Sequence, residues 1–268
     1  MKWVFIILSF TTFDSIYGQD GDFSMGARGR GLAGASATLE DPWALYNNVG
    51  GLGALENSSA IASYQNRFNV KEFQSVGAAY LHHSAHVNTG VSFYRFGDDL
   101  FNQQRASIAV ANSINQVSLG VGASFVQYSI EGIGSANTVI LEFGGIARIT
   151  PELKFAGYIH NINQAKLIEN EVLPATIKAG IAYQPLDNLQ IFSEIEKDLD
   201  FPEVLKLGLE YEIITHIWLR SGISTNPGKS AFGLGGKWKN FQLDYAFNDQ
   251  SNLGPFNEFS LSYVFNAQ

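Results

Sequence analysis

The chain contains no cysteine. That excludes disulfide staples, thiolate metal sites and cysteine nucleophiles. It has no run of ~18 uninterrupted apolar residues, the length a membrane-spanning helix needs. Blocks of like charge, heptads, low-complexity tracts and the GxSxG nucleophile motif are all missing as well. The net charge of −8 argues against anionic polymers, so nucleic acid is not expected as a partner. No enzyme activity, cofactor or resident metal is expected.

What is present begins with a leader. Lys2 precedes a short apolar core from Trp3 to Phe10, which reads as a secretory signal with cleavage after Gly18. Residues 1–18 are therefore expected to be a signal peptide, 19–57 a lead-in and 58–268 the main body. The remaining ~250 residues fit one domain.

From Ser58 onward, about fourteen short stretches alternate apolar and polar residues. Leu205, Leu207, Leu209, Tyr211 and Ile213 share one face, while Val204, Lys206, Gly208, Glu210 and Glu212 share the other. Phe241, Leu243, Tyr245 and Phe247 likewise oppose Gln242, Asp244, Ala246 and Asn248. Successive side chains of a strand point to opposite faces, so each stretch has one greasy and one polar side. A soluble sandwich would alternate too. Three features favour an outer-membrane barrel. Most stretches have the ~9–11 residues that cross a bilayer when tilted. Aromatics gather near stretch ends at Phe93, Tyr94, Phe96, Tyr128, Tyr183, Trp218, Trp238 and Phe265, where interfacial girdles sit. The polar faces carry Glu142, Arg148, Lys154, Lys178, Glu194, Glu196, Lys206, Glu210, Glu212, Arg220 and Asp244, charges that suit a lumen. Mean hydropathy near zero fits lipid outside and a polar lumen inside.

The expected strands are 58–69, 74–84, 87–96, 103–114, 117–129, 136–149, 152–163, 174–184, 188–197, 203–214, 216–224, 230–238, 240–248 and 257–266. Even-numbered breaks are tight, such as Asn115-Gln116 and Lys239-Asn240. Odd-numbered breaks are mostly longer, such as Gln164 to Leu173; only the first, Val70 to Glu72, is short. Outer-membrane barrels have short periplasmic turns and longer outside loops, so both termini are expected in the periplasm.

Residues 19–57 do not alternate. A glycine-rich stretch runs from Met25 to Thr38, and a short helix follows, with Asp41 as N-cap, Pro42 at the first helical position and Gly50-Gly51 ending it. This segment either hangs in the periplasm or plugs the lumen; its glycines permit tight packing against a wall and favour the plug. Arg28, Arg30, Glu40, Asp41 and Asn48 are its candidate anchors to lumen charges.

Several motifs carry little. Gly29-Arg30-Gly31-Leu32-Ala33-Gly34 matches GxGxxG but lacks the strand before it and the long helix after it. His82, His83 and His86 cluster at a turn without a carboxylate beside them. His160 near an outer strand end leaves a surface lipid hydrolase open. The pairs Glu194/Glu196 and Glu210/Glu212 could serve a glycosidase, but nearby Lys178, Lys206 and Arg220 suggest a structural charge ladder.

The pattern of Gly26, Arg28, Gly29, Arg30, Gly31 and Gly34, then Glu40 and Asp41 before a short helix, then Asn48 and Gly51, resembles the N-terminal signature of the FadL-like outer-membrane superfamily. It is most similar to the PorV/PorQ-type branch found in Bacteroidetes. Val49 stands where that signature usually has proline, and the chain has no room for the long outside loops of the fatty-acid transporters. The resemblance implies a fourteen-stranded barrel with an N-terminal hatch, embedded in outer-membrane lipid. It implies a component or partner of a protein secretion apparatus of the type IX kind, docking with a larger translocon. The alternative, from the wider superfamily, is a passive channel for small hydrophobic compounds, with solute leaving sideways through a wall kink. An apolar pocket between hatch and wall would favour the channel; the charged lumen face leans against a greasy tunnel.

Overall fold

The computed structural model describes residues 23–168, 171–250 and 254–265. The expected signal peptide lies outside them. The strands are β1 (Ser59–Arg67), β2 (Gln74–His82), β3 (Asn88–Gly97), β4 (Phe101–Ile114), β5 (Val117–Ile130), β6 (Gly134–Thr150), β7 (Leu153–His160), β8 (Lys166–Ile168), β9 (Glu171–Val172), β10 (Thr176–Leu186), β11 (Leu189–Asp198), β12 (Val204–Ile214), β13 (Ile217–Ser224), β14 (Lys229–Trp238), β15 (Phe241–Gln250) and β16 (Gly254–Val264). All but β8 and β9 form one closed antiparallel barrel of fourteen strands in sequence order, with β1 closing on β16. β8 and β9 make a small hairpin inside the loop that joins β7 to β10.

Alternation sets the barrel's two surfaces. Along β12, Val204, Lys206, Gly208 and Glu210 are buried, while Leu205, Leu207, Leu209 and Tyr211 are exposed. The same two-residue rhythm runs through β2, β4, β10 and β14. The outward face is thus a continuous apolar belt, suited to lipid.

One end of the barrel closes in two-residue turns at 115–116, 151–152, 187–188, 215–216 and 239–240. Asn115, His216 and Lys239 take left-handed φ there, which lets so short a connection reverse the chain. The other end differs from expectation. β4, β5 and β6 run to 14, 14 and 17 residues and absorb the loops expected at 97–102 and 130–135. Cross-strand pairing continues as far as Gly97 with Asn102 and Ile130 with Gly134, because the ladder satisfies backbone groups that a loop would leave open. The first connection, by contrast, spans 68–73 and is longer than expected.

Ahead of the barrel, the glycine-rich stretch is itself partly helical: α1 (Ala27–Gly31) is a single turn. The expected second helix starts later, as α2 (Ala44–Asn47), because Pro42 lies in the turn before it. The Asp41 carboxylate still accepts the Trp43 N–H at 2.9 Å. Gly50-Gly51 does not end the helical path; the chain tightens into a 3₁₀ turn over Val49–Ala54.

Leu207, midway along β12 and half exposed on the outer belt, tests the lipid-facing assignment. Leu207→Arg is expected to destabilise the barrel in lipid vesicles by about 2–4 kcal/mol, measured by denaturant unfolding. A change below ~0.5 kcal/mol would place that face in water.

Candidate functional site

Residues 23–55 lie inside the barrel and bind its inner wall on all sides. On the β16 side, Glu258 is fully buried and accepts the Gly26 N–H at 2.6 Å, the Ser63 hydroxyl at 2.7 Å and the Gln65 amide at 3.0 Å. The Arg30 Nε lies 3.5 Å from it. Next around the wall, the Arg28 guanidinium donates to both oxygens of Glu210, at 2.6 and 2.9 Å, and to Asp41 at 3.1 Å. Glu210 also holds Arg220, which donates to Asp244 at 2.7 Å. Further on, Glu194 accepts the consecutive N–H groups of Ser36 and Ala37, at 2.9 and 2.8 Å, and the Lys206 ammonium at 2.8 Å. Lys206 and Lys178 share Glu196. Near the two-residue turns, Glu40 bridges to Arg148 and Lys154.

These carboxylates receive hatch N–H groups and cations together, which is how a buried charge is kept satisfied. Burial disfavours the Arg28 charge, yet Glu210 and Asp41 outweigh it and hold the guanidinium protonated well above its usual range. At Asp41 the balance is reversed: burial pushes the carboxyl above its ordinary value despite Arg28.

On the opposite wall the carboxylates give way to neutral side chains and close backbone packing: Ser118 donates to the Gly50 carbonyl, Asn88 to the Leu52 and Leu55 carbonyls, and the Tyr46 hydroxyl to Ala78 and Phe93. Asn48 does not reach a lumen charge as expected. Its amide donates to the Ala37 carbonyl at 2.7 Å and its oxygen accepts Gly50 N–H at 3.0 Å. A side chain on Gly50 would sit 2.5 Å from the Gly145 nitrogen, so only glycine lets the 3₁₀ turn press against β6. Gly31 meets Gly233 of β14 as closely, with a Cβ there 2.9 Å from the Gly233 Cα. Of the remaining motif glycines, Gly26 and Gly34 adopt positive φ, while Gly29 and Gly51 pack inside the hatch, against Ser36 and the Leu39 carbonyl.

The lumen is not uniformly polar. The β10–β16 side carries most of the charges named above, with Arg148 and Lys154 on β6 and β7. The β1–β7 side also carries an apolar cluster, which the expected lumen charges do not foreshadow. Three residues read as girdle aromatics belong to it: Tyr94 and Tyr128 are buried and point inward, and Phe96 packs against them. Phe96, Phe101 and Tyr128 form a row with ring centroids 6.4 and 6.3 Å apart. Phe23 meets Tyr94 edge-to-face at 5.4 Å. Tyr183, Trp238 and Phe265 do face outward.

His160 is also inward, buried, with Nδ1 2.6 Å from Glu142, so it is not the outer-face histidine a surface hydrolase needs. Glu142 joins it to Tyr158 and to the buried Arg105. The two carboxylate pairs do not frame a cleft. Glu194 and Glu196 are tied to lysines, and Glu212 accepts the His216 N–H at 2.7 Å across a turn. His83 binds Asn88, and no group of three metal-ligating side chains occurs among the described residues.

Arg105 and Glu258 were missed in the sequence. Both sit on the polar face of their strand, in step with Ser107 and with Ser260, so strand parity alone singles them out.

Every neighbouring pair of barrel strands is hydrogen-bonded, although β6 outruns β7 and leaves 134–142 paired with β5 alone. Register shifts occur only at Arg148/Thr150, Tyr183/Leu186 and Glu212/Ile214, all beside the two-residue turns. No register shift interrupts a barrel strand away from those turns, so the expected wall kink is not found among the described residues. A cavity of 210 Å³ lies between the hatch and the wall at the two-residue-turn end, bounded by Leu39, Glu40, Lys154, Ala182 and Phe192 among others.

No protein-family model and no curated protein matches the chain. Solved structures do. The CymD monoaromatic hydrocarbon channel is 11% identical with a TM-score of 0.73, over 92% of this chain and 99% of that one. The toluene transporter TodX of Pseudomonas putida is 11% identical with a TM-score of 0.72, over 91% and 98%. A FadL homologue of Pseudomonas aeruginosa is 11% identical with a TM-score of 0.68, over 91% and 99%. The chain shares the fold of these barrels.

Removing Arg28 leaves Glu210 and Asp41 buried with fewer partners. Arg28→Ala is expected to cost about 3–5 kcal/mol of hatch docking, and Arg28→Lys to recover only part, since lysine cannot bridge both Glu210 oxygens. Protease sensitivity of residues 23–55 in the folded barrel reads the docking directly. Gly50→Val is expected to release the same segment while leaving the barrel's compact gel migration intact.

Proposed function

We propose that the protein is an outer-membrane channel for small hydrophobic compounds, with the two-residue turns and both termini in the periplasm and the hatch as its plug. The observation that carries this reading is the aromatic cluster on the β1–β7 side of the lumen, where Phe23 of the hatch meets Tyr94 and where Phe96, Phe101 and Tyr128 form a row. Binding sites for small apolar ligands are concave and lined mainly by hydrophobic and aromatic side chains with few polar groups. The fold likeness to hydrocarbon channels supports the same class of solute. Residues 23–57 act as the hatch, and the charges on β10–β16 act as its mooring, leaving the β1–β7 side for solute. The secretion-partner reading draws no support from the structures that share the fold.

A host outer membrane carrying the protein is expected to take up toluene several-fold faster than one without it. Tyr94→Asp, which places a charge in the aromatic cluster, is expected to abolish the gain while the barrel still assembles. Equal uptake with and without the protein would sink the reading. Ion conductance of the reconstituted protein is expected to be low, and to rise when hatch docking is broken by Arg28→Ala.

A further inference from the structure

A solute that enters the lumen on the β1–β7 side needs a way out, and the paired part of the wall offers none: each barrel strand is hydrogen-bonded to both neighbours, and only the outer end of β6, 134–142, lacks a strand on its β7 side. The hatch is moored unevenly. Glu194 and Glu258 hold it through buried contacts on the β11–β16 side, and Arg28 through a part-buried, two-point pair with Glu210. Glu40 holds it on the β6–β7 side through Arg148, which is half exposed, and Lys154, which is a quarter exposed. Exposed ion pairs are weak and screened by salt, so this mooring releases first. It also covers the 210 Å³ cavity at the two-residue-turn end. Its lining is mostly polar, from Arg28, Glu40, Glu152, Lys154 and Gln190, with a small apolar patch where Leu39, Ala182 and Phe192 meet. A cavity of ~150 Å³ suffices for benzene, so one substituted ring fits here. Above it, Ala37 and Thr38 close against Gly180, where an added methyl would lie 3.3 Å from each.

We propose that this cavity is the exit site of the channel: a single-ring aromatic bearing one polar group rests on Leu39 and Phe192, and the Glu40 ion pairs with Arg148 and Lys154 are the latch that opens to release it. The inference rests on the channel reading above. The ring contacts the apolar patch, and its polar group replaces Glu40 or Lys154 in the other's hydrogen bond. The strap 38–40 then swings away from β7 and β10 while Ala37 stays on Glu194 and Asp41 on Arg28.

The chain's lack of cysteine makes a direct test possible. Glu40→Cys and Lys154→Cys are introduced together and bridged with a short, reducible bis-thiosulfonate reagent in the reconstituted protein. Phenol uptake into vesicles is expected to fall at least tenfold on bridging and to recover on reduction; Glu40→Gln alone is expected to raise uptake. Unchanged uptake in the bridged protein, with the unmodified protein active, overturns the latch. A separate readout addresses the cavity itself. Labelling of Leu39→Cys by a small thiol reagent is expected to slow several-fold in phenol, and an unchanged rate overturns the exit site. An unmodified protein that carries neither toluene nor phenol, yet shows this protection, overturns the channel reading and leaves the cavity standing as a binding site.

Discussion

Hydrocarbon offers no partner to a backbone N–H or C=O, and that single constraint organises the molecule. Every strand must pair on both edges, so the sheet closes, and β1 meets β16 over its whole length. Closure then forces a second problem inward. A ring of fourteen strands encloses more space than its own side chains fill. The N-terminal segment fills it, and the carboxylates facing inward serve as acceptors for its free N–H groups. Glu258 and Glu194 take three hatch N–H groups between them that no helix or strand would otherwise satisfy.

The division of the lumen follows from how the hatch docks. Where its backbone is irregular, near α1 and the 34–37 turn, it needs charged acceptors, and β11–β16 supply them. Where it presses as a 3₁₀ turn against β4–β6, glycine removes the side chains and backbone meets backbone. On the β1–β7 side, hatch residues Phe23, Met25, Leu45 and Tyr46 pack against Tyr94 and Tyr128 of the wall. Charge is present there too, but self-contained: Arg105, Glu142 and His160 are buried and bound to one another, so none of them needs a partner from the hatch.

Much of this was legible in the chain. Period-two alternation locates the barrel strands because one face must meet lipid; the β12 pattern of Leu205, Leu207 and Leu209 against Lys206 and Glu210 is unambiguous. Glycine spacing marks the hatch because close approach admits nothing else. Aromatics were harder. Tyr94 lies near a strand end, as a girdle residue does, and only its parity, opposite to Phe93, tells that it points inward. Loop lengths at the open end misled because Asn102 and Ser135 look like loop residues but continue the ladder. The cavity beneath Glu40 was invisible, since Leu39, Lys154 and Phe192 come from three separate segments and no local pattern links them.

The hydrogen bond between Gly26 and Glu258 spans 232 positions, almost the whole described chain. The hatch and the last described strand are therefore one unit of structure despite their separation in sequence. The strand that seals the wall against β1 also carries a carboxylate that seats the plug, so a defect in closure is also a defect in plugging.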